Sequence, residues 1–199
     1  MTPILRLELE GAAQAGRPVL GPLSLTVDPG ETAAVTGPSG VGKTTLLRIV
    51  AGLHAGWSGR IDRPDRIAMV FQEPTLLPWR DLVANLTITT GCAHEIALRW
   101  LEEVGLGGMG ERLPKSLSLG QQRRLALARA WAAEPDLLLM DEPFVSLDPA
   151  LSSEMMGLFE RLRAARPVAT LLVTHAPEEA QRLADRIVRL EGSPARIAA

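Results

Sequence analysis

Five short runs of Val, Ile, Leu and Ala recur between stretches of helical periodicity: Thr32 to Thr36, Ile67 to Phe71, Leu137 to Asp141, Ala169 to Thr174 and Ile187 to Leu190. Runs that are apolar at consecutive positions predict strands buried on both faces, as in a mostly parallel sheet flanked by helices. The start of the chain is different. LRLELE (residues 5–10) alternates apolar and charged positions, and LGPLSLTVDPGE (residues 20–31) reads as a hairpin or edge sheet closing on a Pro29-Gly30 turn. These two segments predict a small antiparallel layer at the front. Between Gln72 and Ser118 the pattern changes to helices, with Glu95 to Val104 amphipathic, broken by Gly105, Gly107, Gly108 and Gly110. The expected architecture is α/β: one domain over residues 1–199, with a mostly parallel sheet, an N-terminal antiparallel layer and a helical subdomain of about residues 73–127 inserted in the core.

Composition narrows the function classes. At 199 residues and 46% hydrophobic content the chain supports one substantial core. Its 21 basic and 23 acidic residues, net charge -2, form no long block of one sign, so no footprint for nucleic acid or anionic lipid is visible. No apolar run reaches the roughly 18 residues that span a bilayer, and MTPILRLELE carries charges where a signal peptide needs its apolar stretch. The expected location is therefore the cytoplasm, with any membrane contact made through a protein partner. Cys92, the only cysteine, excludes an intramolecular disulfide and a cysteine-based metal cluster, and is expected to be a small, partly buried side chain.

Gly37-Pro38-Ser39-Gly40-Val41-Gly42-Lys43-Thr44 follows a predicted strand and opens a predicted helix, Lys43 to Ala51. That is the context in which G-x-x-x-x-G-K-[ST] is a phosphate cradle. Backbone N–H groups from the glycine-rich turn through Thr45, with the positive end of the helix dipole, suit a β-phosphate. Lys43 is placed to reach the β and γ phosphates, and the Thr44 hydroxyl to ligate Mg²⁺.

Leu137-Leu138-Leu139-Met140-Asp141-Glu142-Pro143 is an apolar strand ending abruptly in two carboxylates. An ionised carboxylate near a core is costly unless a cation or donor compensates it, and beside a phosphate cradle that cation is Mg²⁺. Adjacent strand residues point to opposite sides, so the two acids take different tasks. Asp141 is assigned to the Mg²⁺ shell and Glu142 to the attacking water as general base. The reading at this stage is a P-loop NTPase of RecA-like fold.

Ser118-Leu119-Gly120-Gln121-Gln122 resembles the LSGGQ signature of ABC ATPases and stands 19 residues before the Leu137 strand. Ser118 with Gln121 three residues on also has the form of a capping box, which leaves a helix N-terminus facing outward. The other marks of that family fall in order: Gln72 after the Ile67 strand, Ser146-Leu147-Asp148 after the acid pair, and His175 at the end of the Ala169 strand. Lys43, Gln72, Asp141, Glu142 and His175 are thereby expected beyond the carboxyl ends of neighbouring strands, where open α/β sheets bind ligands. The resemblance to an ABC transporter ATP-binding subunit runs from Leu20 to Leu190. Within the family, Phe71-Gln72-Glu73-Pro74-Thr75-Leu76-Leu77-Pro78-Trp79-Arg80 is similar to the segment in importer ATPases for nitrate, sulfonates and taurine.

The resemblance implies ATP and Mg²⁺ as ligands, with Gln72 joining Thr44 and Asp141 near the metal and joining His175 and Glu142 at the water. It implies a head-to-tail homodimer in which Ser118, Gly120, Gln121 and Asp148 of one subunit face the nucleotide held by the other. It also implies membrane permease subunits as partners, gripped by the Leu76-Leu77-Pro78-Trp79 patch, and a peripheral position on the cytoplasmic face of the membrane. Three departures stand out. Leu119 occupies a signature position that is usually glycine. No Tyr exists in the chain and no aromatic residue precedes Trp57, so the ring that usually stacks on adenine is missing. The segments around Gln72 are shorter than in typical relatives, and no appended regulatory domain is expected after Leu190.

Overall fold

The computed structural model describes residues 2–198. They form two compact units: one holds everything up to Met69, then Asp136–Glu142 and everything from Val168 on; the other holds Val70–Pro135 and Pro143–Pro167.

The first unit is built on one continuous sheet. Strands β4 (Thr32–Thr36), β7 (Leu137–Asp141), β8 (Ala169–Val173) and β9 (Arg186–Gly192) run parallel, in the order β9-β4-β8-β7, with β6 (Ile67–Val70) at the edge. Every residue of β7 and β8 is buried, which is why these two segments carry no polar alternation. The sheet continues through β10 (Ala195–Ile197) and β2 (Arg17–Leu20) into an antiparallel layer of β1 (Leu5–Gln14), β3 (Leu23–Val27) and β5 (Trp57–Asp62). There β1 alternates buried and exposed positions, inserting Leu5, Leu7 and Leu9 into the core. The antiparallel front and the parallel core both follow the sequence pattern. The strands that pattern misses are β2, β10 and β5, of which β5 is the longest. WSGRID is mostly exposed and polar, and it is a strand because it pairs with β1, setting Arg60 opposite Glu8 and Asp62 opposite Arg6.

Helix α1 (Lys43–Ala51) follows β4 and packs against β7 and β8, while the short α6 (Pro177–Leu183) follows β8 and packs on β4. Connections of this kind bring the segments after β4, β7 and β8 to one end of the sheet.

The second unit is helical. It contains α2 (Leu82–Thr90), α3 (His94–Glu103), α4 (Leu119–Ala132) and α5 (Pro149–Ala165), with α2, α3 and α4 packed on one another and α5 against α4. Its core includes Trp131 and Phe159 in an edge-to-face contact with ring centroids 5.8 Å apart. Asp81 caps α2 by accepting from Ala84 N, and Gly91 closes it in the left-handed conformation. Among the described residues no helix is long and apolar enough to cross a membrane.

Candidate functional site

The turn from β4 into α1 is shaped by two glycines. Gly37 has φ 147, and a Cβ there would lie 2.5 Å from the Leu190 carbonyl oxygen. Gly42 has φ 112, and a Cβ there would lie 2.7 Å from Leu20. Both positions therefore exclude every side chain. Val41 N closes the turn by donating to Pro38 O. The amides of Gly42, Lys43, Thr44 and Thr45 find no acceptor among the described residues, and they open the positive end of α1. Unpartnered donors around a concavity that no Cβ can fill fit a phosphate group.

Lys43 is almost fully buried, and its ammonium donates to the carbonyls of Gly37 at 2.8 Å and Pro38 at 2.9 Å. The same nitrogen lies 3.9 Å from Glu142 Oε1. Next to it, the Thr44 hydroxyl donates to Asp141 Oδ1 at 3.1 Å, joining residues 97 positions apart in the sequence. Burial pushes the Asp141 carboxyl above the ordinary Asp range; the Thr44 hydroxyl opposes this and the Glu142 charge adds to it. A hydroxyl and a buried carboxylate at hydrogen-bond distance, beside a phosphate cradle, form a donor set suited to Mg²⁺. That ion takes one or two protein oxygens and completes its shell with phosphate and water.

Glu142 has φ 46, and its N–H donates to Val173 O at 2.9 Å. The left-handed turn takes Glu142 out of the strand's alternation, so its carboxylate meets partners different from those of Asp141. Its Oε2 lies 3.1 Å from His175 Nδ1. His175 is half-exposed and lines an open cleft of about 540 Å³ together with Gly37, Ser39, Gln181 and Arg189. The first unit thus brings Lys43, Thr44, Asp141, Glu142 and His175 to one place.

In the second unit, helix α4 starts with a complete capping box. Ser118 Oγ accepts from Gln121 N at 3.3 Å, and Gln121 Oε1 accepts from Ser118 N at 3.0 Å. Gly120 is buried against Leu151, and Leu119 stands exposed at the first position of the helix.

Comparisons with known proteins point one way. The ABC transporter family model matches residues 20–145. The chain belongs to the ABC transporter ATP-binding family. It is 44% identical over 197 residues to aliphatic sulfonates import ATP-binding protein SsuB 1 of Rhodococcus jostii (strain RHA1), covering 95% of this chain and 80% of that protein. It is 47% identical over 174 residues to SsuB 3 of Paraburkholderia xenovorans (strain LB400), covering 86% of this chain and 70% of that one. In fold it is similar to a chain of an ABC transporter solved in an inward-facing conformation, with TM-score 0.87, 24% identity, and coverage of 99% of this chain and 83% of that one. As an ABC transporter subunit the chain binds and hydrolyses ATP to power solute transport through a separate membrane permease.

The remaining residues that the ABC resemblance singled out lie in the second unit. Gln72 is exposed just past β6. Asp148 caps α5, its Oδ1 accepting from Leu151 N at 3.0 Å, and Pro149 takes the first helical position. The segment from Pro74 to Arg80 is fastened on two sides. Arg129 of α4 donates to the carbonyls of Pro74 and Thr75 and to the Thr75 hydroxyl. Asn85 of α2, fully buried, accepts from Leu77 N and donates to the carbonyls of Leu77, Arg80 and Asp81. Leu76 and Leu77 are half-buried, while Trp79 is 70% exposed.

Sequence reasoning missed Asn85, Arg129 and Arg123 as loop-holding residues of the ABC subunit. Arg123 is a buried guanidinium that donates to Pro143 O and Val145 O. A charged residue on the apolar face of α4 was the available signal.

Proposed function

We propose that two copies of this chain form an Mg-ATP-dependent head-to-tail homodimer on the cytoplasmic face of the membrane, driving uptake of sulfonates through permease subunits. Residues 1–199 act as a single nucleotide-binding domain with a helical subdomain of about residues 73–127. The observation that carries the reading is the contact of the Thr44 hydroxyl with Asp141, set against the Glu142–His175 pair beside Lys43. The solute rests on the sulfonate importers that the chain resembles over most of its length.

Bound Mg-ATP supplies the electrophilic γ-phosphorus and the metal charge that neutralises its oxygens. Gly37, Pro38, Ser39, Gly40, Val41, Gly42, Lys43, Thr44 and Thr45 hold the phosphates, and Thr44, Asp141 and Gln72 contribute oxygens to the metal shell. Glu142 accepts a proton from the attacking water, and His175 with Gln72 orients that water. Ser118, Gly120, Gln121 and Asp148 of the facing subunit complete the site, so the interface is isologous and both sites form together. Leu76, Leu77, Pro78 and Trp79 form the permease-docking patch, an apolar cluster rimmed by charge.

Mixing a Lys43→Ala subunit with a Ser118→Arg subunit tests the shared site. One site of the mixed dimer keeps both faces, and some ATPase activity returns; confirmed heterodimers as inactive as either parent would mean that the faces are not shared in trans or that both sites must fire together. For the solute, ATP-driven uptake of an alkanesulfonate into vesicles holding the full transporter is the expected result. Uptake of an unrelated solute with none of the sulfonate overturns that part alone.

A further inference from the structure

The imidazole of His175 has one polar contact among the described residues, the Glu142 carboxylate, and nearly half of its surface is open. With that single hydrogen-bonding partner for the ring, its aim depends on the backbone that carries it. That backbone is clasped by the residue before it. Thr174 is buried, and its hydroxyl accepts from the N–H of Ala176 at 3.0 Å while donating to Glu179 Oε2 at 2.5 Å. One hydroxyl thus joins the residues on either side of His175 and ties both to the first turn of α6. From below, Thr174 N donates to Val35 O at 3.2 Å, fixing the same residue to β4.

Glu179 is an expensive way to receive a hydroxyl. It is buried, and burial pushes its carboxyl above the ordinary Glu range, against the pull of the Thr174 hydroxyl and the His175 charge. A buried carboxyl is tolerated where its hydrogen bond fixes something that a free turn leaves loose.

We propose that Thr174 and Glu179 are positioning residues for the hydrolysis reaction, holding the turn that aims His175 at Glu142. The proposal rests on the role given to His175 under Proposed function. Both residues are buried, and both act through the histidine.

The test uses the full chain with Thr174→Val, Thr174→Ser, Glu179→Met and His175→Ala, and Thr174→Val combined with His175→Ala. Thr174→Val keeps the shape and removes the hydroxyl. Its kcat is expected to fall about 10-fold to 100-fold, the scale of a misplaced reacting group, with KM for ATP within about twofold. Thr174→Ser is expected to retain kcat within about threefold, and Thr174→Val to cause no further loss once His175 is gone, because groups acting in series are not additive. Should Thr174→Val disturb folding, Glu179→Met, which keeps the length of the side chain and removes the acceptor, carries the same expectation for the kcat and KM split.

A second readout does not depend on activity. With three histidines in the chain, the ¹⁵N imidazole signals resolve individually, and the His175 signal is expected to broaden or split in Thr174→Val. Wild-type kcat and an unchanged His175 signal in Thr174→Val overturn the proposal. So does an equal, multiplicative loss in the His175→Ala background, which marks a purely structural role. If His175→Ala keeps full turnover while the His175 signal still broadens in Thr174→Val, the clasp stands and the catalytic role given to His175 falls.

Discussion

The Nδ1 atom of His175 lies 3.1 Å from Oε2 of Glu142. The second oxygen of that carboxylate is 3.9 Å from the Lys43 ammonium, so Glu142 sits between two positive or potentially positive groups at the end of a buried strand. Its backbone is left-handed, φ 46, a conformation that costs a residue with a Cβ about 1 to 2 kcal/mol relative to glycine. Strain of this kind collects where geometry is fixed by more than stability.

Glu142→Gln keeps the shape and removes the base. Mg-ATP binding is expected to persist while turnover falls about 10²-fold to 10⁴-fold. Sizing chromatography with ATP is expected to show a trapped dimer; monomer alone at saturating nucleotide contradicts the sandwich. The strain has its own signature. Glu142→Gly is expected to be more stable than Glu142→Ala by about 1 kcal/mol in urea denaturation, since only glycine relaxes at positive φ. Equal stabilities refute the strain argument.

Asp141 predicts a conflict between stability and activity. Its carboxyl is raised above the ordinary Asp range chiefly by burial, so the native state holds that proton more tightly than the unfolded chain does. The metal-free protein therefore gains stability as pH falls through the raised value and loses it as pH climbs back. Asp141→Asn keeps an acceptor for the Thr44 hydroxyl and removes the buried charge. In EDTA at neutral pH its melting temperature is expected to exceed that of wild type, with a flatter pH dependence just above the ordinary Asp range. Mg²⁺-dependent ATPase activity is expected to vanish. A lower melting temperature together with an unchanged pH slope rules this account out.

Trp79 is exposed on a segment held rigid by Asn85 and Arg129. Trp79→Ala is expected to change the unfolding free energy by less than about 0.5 kcal/mol while weakening association with the permease at least several-fold. A loss of 3 to 5 kcal/mol, the cost of deleting a buried Trp, contradicts its exposure. Asn85→Ala leaves the Trp in place and unfastens the segment, and is expected to weaken the same association.

The β1–β2 turn offers no ring to a base. Gln14 and Arg17 are exposed on either side of Ala15 and Gly16, and the side chains packed on Gly42 are Val19 and Leu20. Base stacking on an aromatic contributes roughly 1 to 3 kcal/mol, a factor of about 5 to 150 in affinity. Wild type is expected to bind ATP and GTP within about tenfold of each other, and Gln14→Tyr to tighten ATP binding at least about fivefold. A tenfold or greater preference for ATP in wild type, unimproved by Gln14→Tyr, places the adenine elsewhere.

The parallel strands and α1 were legible in the sequence because burial on both faces leaves no room for polar residues, and because Gly42-Lys43-Thr44 marks a helix start. The capping box of Ser118 and Gln121 was legible for the same reason: its chemistry is local. What escaped was set by partners distant in sequence. β5 has no apolar pattern and exists through its pairing with β1. Asn85 looks like any helical polar residue until Leu77 and Arg80 fold over it. The Thr174–Glu179 bond joins a strand end to a helix that composition leaves unremarked.

Lys43 bonds the carbonyls of Gly37 and Pro38, residues of its own loop. The cradle therefore keeps an internal guest, and its ammonium is already stripped of water before any nucleotide arrives. An incoming phosphate competes with two carbonyl oxygens for that ammonium. In the nucleotide site proposed above, that exchange would favour a terminal phosphate dianion over weaker acceptors, so the loop would screen its visitors by charge as well as by shape.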